Sequence, residues 1–193
     1  MTNYKIVDMK RFIVCCLSLL AATTLMLGQN ASKKFEIKSG RFTLVSEVMG
    51  QKVESKNYFD DYGNLQASVT SAFGMELTTI SRDGKTYMVN AAAKQVQEMP
   101  VQESVNYLDL TDEVVAKYKI KEVGNETVAG KECVKYTMEV SKMGQTAHLT
   151  VSVWQGIPMK TVTSVSGTDV AATITEIIEE PVDAALFTVP SFE

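Results

Sequence analysis

Hydrophobic and polar residues alternate along most of the chain. In Thr146–Trp154 the apolar residues fill one set of alternate positions, namely Ala147, Leu149, Val151 and Val153. Side chains two residues apart lie on the same face of a β-strand. This segment is therefore predicted to be a strand with one apolar and one polar face.

The same pattern predicts about ten strands, which are separated by turn-forming residues rather than by long helices. Phe35 and Ile37 are expected to enter a strand almost at once. The other predicted segments are Arg41–Leu44, Val53–Phe59, Leu65–Ala72, Met75–Ser81, Thr86–Asn90, Lys94–Met99, Tyr118–Val123, Glu126–Ala129, Glu132–Val140, Thr146–Trp154, Met159–Val165 and Asp169–Ile178.

Turn and cap residues mark the connections. Asp60–Asn64 is a dense cluster of turn formers. Arg82–Lys85 predicts a tight hairpin, because Asp-Gly readily adopts the positive φ angles of a type I′ turn. Thr111–Tyr118 has an N-cap residue, acidic residues in its first turn and a lysine in its last, so it is predicted to be the one helix of the exported chain.

These elements predict the fold class. A parallel sheet needs a long crossover between neighbouring strands, and hairpin-linked strands do not supply one. We therefore expect a mainly β protein with one or two short helices. Its curved antiparallel sheet would form an incomplete, half-open barrel with a helix covering it.

The first residues of the chain are typical of an export signal. Met9-Lys10-Arg11 precedes an apolar run, Phe12–Leu27, that is shorter than most membrane-spanning helices. We expect residues 1–28 to be a signal peptide, with cleavage somewhere between residues 28 and 32; an uncleaved membrane anchor is the alternative. Cys15 and Cys16 lie too early in the run for lipidation. The prediction is an exported, soluble, periplasmic protein without a lipid anchor.

Composition excludes several function classes. The 19 Lys and Arg against 23 Asp and Glu give a net charge of −4, which argues against a nucleic-acid-binding protein. One histidine and three cysteines leave little for a metal site or for catalysis, and no cofactor motif is present. His148 is expected to be exposed and Cys133 buried. We therefore expect no enzyme, no metal and no cofactor; an envelope hydrolase would need two converging titratable groups.

Three stretches resemble a known family. They are Ile37–Gly40 with Tyr58–Asn64, then Gly124–Cys133 with Lys135-Tyr136, and finally Trp154–Lys160 with Leu186–Pro190. Together they resemble the periplasmic lipoprotein-carrier superfamily of LolA and LolB, most closely its uncharacterised exported relatives in Bacteroidetes-type Gram-negative bacteria. The resemblance implies that residues 29–193 form a single LolA-like half-barrel domain that holds acyl chains in an apolar cavity.

Two functional hypotheses follow. The first is a non-enzymatic periplasmic carrier or binder of lipids, lipoprotein acyl chains or another apolar ligand, with a possible place in outer-membrane lipoprotein sorting. The second is an envelope structural or protein-interaction module that has a filled core and no ligand. Under the first hypothesis the candidate cavity-lining residues are Phe42, Leu44, Met75, Leu77, Tyr136, Met138, Leu149, Val151 and Val153, each set lying on one face of a strand.

Overall fold

The chain forms an eleven-stranded antiparallel sheet with one α-helix in a computed structural model that describes residues 33–48, 51–72, 75–100, 104–142, 145–165 and 167–192. Two short 3₁₀ helices lie at Asp61–Gly63 and Ala184–Phe187. The other elements are β1 (Gly40–Val48), β2 (Gln51–Asp60), β3 (Leu65–Ala72), β4 (Met75–Arg82), β5 (Lys85–Asn90), β6 (Gln95–Met99), α1 (Asp112–Tyr118), β7 (Lys121–Val128), β8 (Lys131–Lys142), β9 (Gln145–Trp154), β10 (Ile157–Val165) and β11 (Thr168–Ile178).

The strand order explains where the helix lies. The sheet runs β6-β5-β4-β3-β2-β1-β11-β10-β9-β8-β7, so β6 and β7 are its two edges although they are consecutive in the chain. The connection that contains α1 must therefore pass from one edge of the sheet to the other. This arrangement confirms the predicted fold class, a curved antiparallel sheet that is not closed into a barrel and has a helix on one face.

The register of the strands defines two faces, because residues paired across antiparallel strands share a face. Val151 pairs with Thr161, which pairs with Ala172 and, through it, with Ser46. Side chains of α1 pack against the apolar cluster that contains Val151, so we call this the helix-side face and the other the opposite face.

Two apolar clusters lie along the sheet. The first joins the chain before β1 to the centre of the sheet, where Phe35 meets Phe59 edge to face at a ring distance of 5.1 Å. Its buried members are Phe35, Ile37, Leu44, Phe59, Val128, Cys133, Ile157, Met159, Ala172 and Ile174. The second cluster lies beneath α1 and has Val105, Ile120, Met138, Val151 and Val153 as its buried members.

The C-terminal segment lies on the opposite face. The carboxylate of Glu180 pairs with the Arg41 guanidinium at 2.5 Å, and the Phe187 carbonyl accepts a hydrogen bond from Arg82 at 3.2 Å. Arg41 and Arg82 both lie on the opposite face by register. Phe187 is only 2% exposed, and the short helix that contains it packs against β3 and β4. The sheet is thus covered on both faces near its centre.

The structure tests three local predictions from the sequence, the hairpin at Arg82–Lys85, the break at Gly124 and the early strand at Phe35 and Ile37. The hairpin at Arg82–Lys85 is confirmed, since Ile80 pairs with Tyr87 and Gly84 has a φ of +73°. The predicted break at Gly124 is wrong: its φ of +124° lets β7 continue through a register shift between Glu122 and Gly124. Phe35 and Ile37 do not form a strand, because β1 begins at Gly40.

The predicted signal peptide and Cys15 and Cys16 lie outside the described residues. Among the residues that the structure describes, no helix has the length and apolar content to cross a membrane.

Candidate functional site

An apolar layer separates the sheet from residues 104–120, which we call the cover segment. The Thr111 hydroxyl caps α1 by accepting a hydrogen bond from the Val114 backbone N–H at 3.4 Å. The cap starts the helix so that Val114, Val115 and Tyr118 meet the sheet, while Asp112 and Glu113 remain exposed in the first turn. Val105, Tyr107, Leu110 and Ile120 complete the apolar side of the cover segment.

Five of the predicted lining residues form the sheet side of this layer. Tyr136 pairs with Val151 and Met138 pairs with Leu149, so these four side chains share the helix-side face with Val153. The Tyr107 ring lies 5.7 Å from that of Tyr136, and its hydroxyl donates to the Met138 sulfur at 3.5 Å. Burial raises the pKa of the Tyr107 phenol above its ordinary value. Side chains of the cover segment therefore pack on the residues that the sequence analysis predicts to contact an apolar ligand.

Within the cover segment the helix makes only shallow contacts with the sheet, whereas Val105 and Ile120, which flank it, are buried. No residue of α1 is buried. At its end, Lys119 has a left-handed backbone with a φ of +50°, and its ammonium lies 2.5 Å from a Glu139 carboxylate oxygen on β8. The hydrogen bond from Lys119 holds the pKa of Glu139 below its usual value. An exposed ion pair thus joins the end of α1 to β8, where Glu139 pairs with His148 and so lies on the opposite face.

The other predicted lining residues lie elsewhere. Leu44 is buried in the first cluster, with Phe42 packed against that cluster. Leu77 is half-buried in β4, and Met75, at the start of the same strand, is 63% exposed. The nine residues are therefore divided among three places on one face, and their contact with a ligand remains a prediction.

Sequence reasoning missed a cavity of about 430 Å³ beneath the C-terminal segment. Phe42, Lys56, Tyr58 and Leu186 are among its lining residues, and the Arg41–Glu180 pair lies at its wall. Of the nine predicted lining residues, Phe42 alone lines this cavity. The apolar pair Leu186-Phe187 is the sequence signal for this cavity. Two adjacent apolar residues in a segment bounded by prolines indicate that the segment packs on the sheet.

One polar cluster, around Glu126, is bonded within the sheet. Glu126 accepts hydrogen bonds from Ser152 and Lys160, and these donors keep the pKa of its carboxyl low. Ser152 is 1% exposed, so its hydroxyl is not accessible to a substrate. Burial raises the pKa of the Cys133 thiol, which disfavours the nucleophilic thiolate.

His148, the single histidine, is exposed on β9 with its Nδ1 3.9 Å from Glu139. Within the described ranges no three His, Cys, Asp or Glu side chains come together as a metal site. We take the apolar layer beneath the cover segment as the candidate site, because its side chains suit contact with an apolar ligand.

Comparisons with known proteins bear on the fold. A family model described as a domain of unknown function (DUF4412) matches residues 63–155. No curated protein sequence matches the chain. The chain is similar to MucB in the MucA/MucB complex of Pseudomonas aeruginosa, at 18% identity and a TM-score of 0.56, over 77% of this chain and 54% of that chain.

Two further solved structures match. An uncharacterized conserved protein from Thermus thermophilus has a TM-score of 0.58 at 11% identity, over 80% of this chain and 87% of that chain. A Vibrio parahaemolyticus domain described under outer membrane lipoprotein sorting matches at 12% identity over 80% of this chain and 91% of that chain. Its TM-score of 0.39 is too low to carry an argument.

These likenesses concern the fold alone, since all three identities are low. The chain also spans only about half the length of the MucB that it matches, 54% of it. The curved sheet with a helix on one face is therefore an architecture shared with known proteins, and the function has to be argued from the site.

Proposed function

We propose that this protein is a non-enzymatic periplasmic carrier or binder of lipids or another apolar ligand, with an acyl chain bound against β8 and β9. One observation carries the proposal: the apolar side chains of these strands are covered by a segment whose helix has no buried residue. Because stabilisation follows the apolar area removed from water, an acyl chain that offers the same area can displace such a cover at little cost.

Two features of the sequence support the wider assignment. The apolar run Phe12–Leu27 after a basic start supports export to the periplasm. The resemblance of Gly124–Cys133 and Trp154–Lys160 to the LolA and LolB superfamily supports a cargo that carries acyl chains, such as an outer-membrane lipoprotein. A role in lipoprotein sorting would fit this cargo.

Native mass spectrometry tests the proposal on the protein as it is made. The full chain is expressed with its own leader in a Gram-negative host and purified from the periplasm without detergent. We expect a population whose added mass is released as lipid on collisional activation. A chain that remains at its bare mass, and that also fails to enhance the fluorescence of the apolar probe N-phenylnaphthylamine, would contradict the proposal.

A matched pair of variants locates the binding surface. Leu149→Glu places a charge on the helix-side face, whereas Thr150→Glu places the same charge on the opposite face of the same strand, and both positions are half-buried. Burying a leucine contributes about 1.5–3 kcal/mol. We therefore expect Leu149→Glu to weaken probe binding about tenfold or more and Thr150→Glu to leave it nearly unchanged. Equal weakening by both variants would count against a site at β9.

A protein-interaction module is the second candidate. The observation that favours it is that Tyr107, Val114 and Val115 fill the layer with the chain's own side chains. MucB, which shares the fold, has been solved in complex with MucA. Affinity capture from a solubilised envelope separates the candidates: one protein recovered at equal stoichiometry, with no lipid on the captured chain, would favour interaction over transport.

A further inference from the structure

The charges of half the sheet lie on a single face. Strands β1–β6 contain ten charged residues, and the register places all ten on the opposite face. These residues are Arg41, Glu47, Lys52, Glu54, Lys56, Asp60, Glu76, Arg82, Lys85 and Glu98. The helix-side face of the same six strands carries no Asp, Glu, Lys or Arg.

This uncharged face is nevertheless polar. The row that starts at Phe42 continues through Asn57, Ser68 and Thr79 to Met88, and the next row contains Ser55 and Thr70. Further along the sheet, the helix-side positions of β9 are instead apolar, as in Leu149, Val151 and Val153. One continuous face thus changes from aliphatic at β9 to hydroxyl- and amide-bearing at β2–β4.

The hydroxyl groups bind one another. Ser55 lies 2.8 Å from the Ser68 hydroxyl and 2.9 Å from that of Thr70, and Ser81 lies 2.9 Å from Thr86. A hydroxyl has one donor and two acceptor sites. Because Ser55, Ser68, Ser81 and Thr86 are buried, it is the half-buried Thr70 hydroxyl that keeps acceptor capacity for an incoming hydroxyl or amide N–H, and by rotating it can donate to an ester carbonyl.

A charged headgroup would find no counter-charge on the helix-side face of β1–β6, although Glu122 at the β7 edge pairs with Tyr136 and so shares that face. Removing an ion from water without a counter-charge costs far more than removing a neutral polar group that keeps its hydrogen bonds. Thr70, Leu77 and Thr79 are half-buried and so within reach of a ligand, whereas the small cavity beside Asn57 and Ser68, about 10 Å³, has room for about one water molecule.

We infer that the ligand is an amphiphile with an uncharged polar head, bearing hydroxyl, ester or amide groups. Its chain lies against β8 and β9, and its head lies near Thr70 and Thr79 on the helix-side face. This inference rests on the proposed function and narrows its substrate class: neutral acylated molecules such as monoacylglycerols are bound, and free fatty acids or alkylammonium ions of the same chain length are not.

Three probes of one chain length test the inference by isothermal titration calorimetry below their micellar concentrations. They are a monoacylglycerol, the corresponding fatty-acid anion and the corresponding alkyltrimethylammonium ion. We expect the monoacylglycerol to bind at least about tenfold more tightly than either ion. Equal or tighter binding of an ion would overturn the inference while leaving the carrier proposal standing. Binding of none of the three would overturn both.

Neighbouring threonines supply a matched control. Thr79→Lys introduces a cation on the helix-side face, and Thr78→Lys introduces it on the opposite face of the same strand; both residues are half-buried. We expect Thr79→Lys to shift the relative affinity about tenfold toward the fatty-acid anion, while Thr78→Lys keeps the wild-type preference and both retain the wild-type circular dichroism. An equal shift of the relative affinity in the two variants, or no shift in Thr79→Lys, would show that the polar head of the ligand does not lie near Thr79. Either result would overturn the inference.

Discussion

The ammonium of Lys119 lies 2.5 Å from a carboxylate oxygen of Glu139, and this contact joins the end of α1 to β8. Lys119 is also the residue where the chain leaves the helix in a left-handed conformation, with its backbone N–H still bonded to the carbonyls of Val115 and Ala116. The side-chain pair and the helix end are therefore one structural unit. Loosening the pair should free the cover segment before it affects the sheet.

Glu139→Gln tests this coupling. Because the pair is exposed, its loss should hardly alter the melting temperature, but hydrogen exchange of residues 112–120 should become faster. Glu98→Gln is the control, since it removes an exposed pair with Lys85 at 3.2 Å on β5 and β6, far along the sheet from β8. Unchanged exchange in Glu139→Gln, or the same increase in the control, would show that the pair does not hold the cover.

The same pair predicts a pH dependence. The pKa of Glu139 is lowered by its hydrogen bond from Lys119, with smaller contributions from nearby Lys121 and His148. Its contribution is therefore present above the ordinary carboxyl pKa of about 4.3 and is lost as the pH falls through the lowered value. Exchange of residues 112–120, corrected for the intrinsic rate, should rise in acid for the wild type. Glu139→Gln should lack this rise; a rise of equal size would contradict the assignment.

Gly156 and Gly84 occupy the same position in two hairpin turns but have different surroundings. Their φ angles are +83° and +73°. A Cβ on Gly156 would overlap the Lys34 carbonyl oxygen, whereas one on Gly84 would meet nothing within 4 Å. Gly84→Ala should therefore cost only backbone strain, about 1–2 kcal/mol. Gly156→Ala should cost about 1–3 kcal/mol more, because the chain before β1 must move. Urea unfolding measures both; equal midpoints would contradict the contact.

Phe187 should anchor the C-terminal segment to the opposite face. It is 2% exposed, whereas Phe192 in the same segment is 37% exposed. Phe187→Ala should lower the free energy of unfolding by about 3–5 kcal/mol, the usual range for a buried phenylalanine. Phe192→Ala should change it by less than about 1 kcal/mol. If chemical denaturation gave both variants the same stability, the packing of the segment on β3 and β4 would be wrong.

The Tyr107 phenol should ionise at a higher pH in the folded protein than in the unfolded chain. Burial raises the pKa of its phenol, so the folded protein keeps it neutral where the unfolded chain would begin to ionise, near pH 10. Stability should therefore decline as the pH rises above about 10, and less steeply in Tyr107→Phe. Urea midpoints at increasing alkaline pH measure the difference. Parallel declines in the two proteins would show that Tyr107 is not in the apolar layer.

The sequence pattern predicts most of the strands because it reports local physics. Alternation in β9 and the Asp-Gly turn before β5 depend only on neighbouring residues, and both are confirmed in the register. At Gly124 the prediction fails, because a glycine with positive φ occurs both in turns and in the irregularities of a continuing strand. Sequence alone does not separate these two uses.

The candidate site is less predictable because it depends on contacts between distant segments. The sequence groups Tyr136, Met138 and Leu149 on one face, and that grouping follows from strand periodicity. It does not show that Tyr107 and Val114 fill the space above them, since this depends on a connection that runs from one sheet edge to the other. The cavity beneath the C-terminal segment was not predicted for the same reason. Its wall contains Arg41 and Glu180, which are 139 residues apart in the chain.

Photo-crosslinking with a monoacylglycerol that carries a diazirine in its acyl chain tests the central claim most directly. Peptide mapping of the irradiated complex should place the crosslinks in β8, β9 and the cover segment, around Met138, Leu149 and Val114. Crosslinks confined to the cavity between Tyr58 and Leu186, or no crosslinks above those to a denatured control, would contradict an acyl-chain site on the helix-side face.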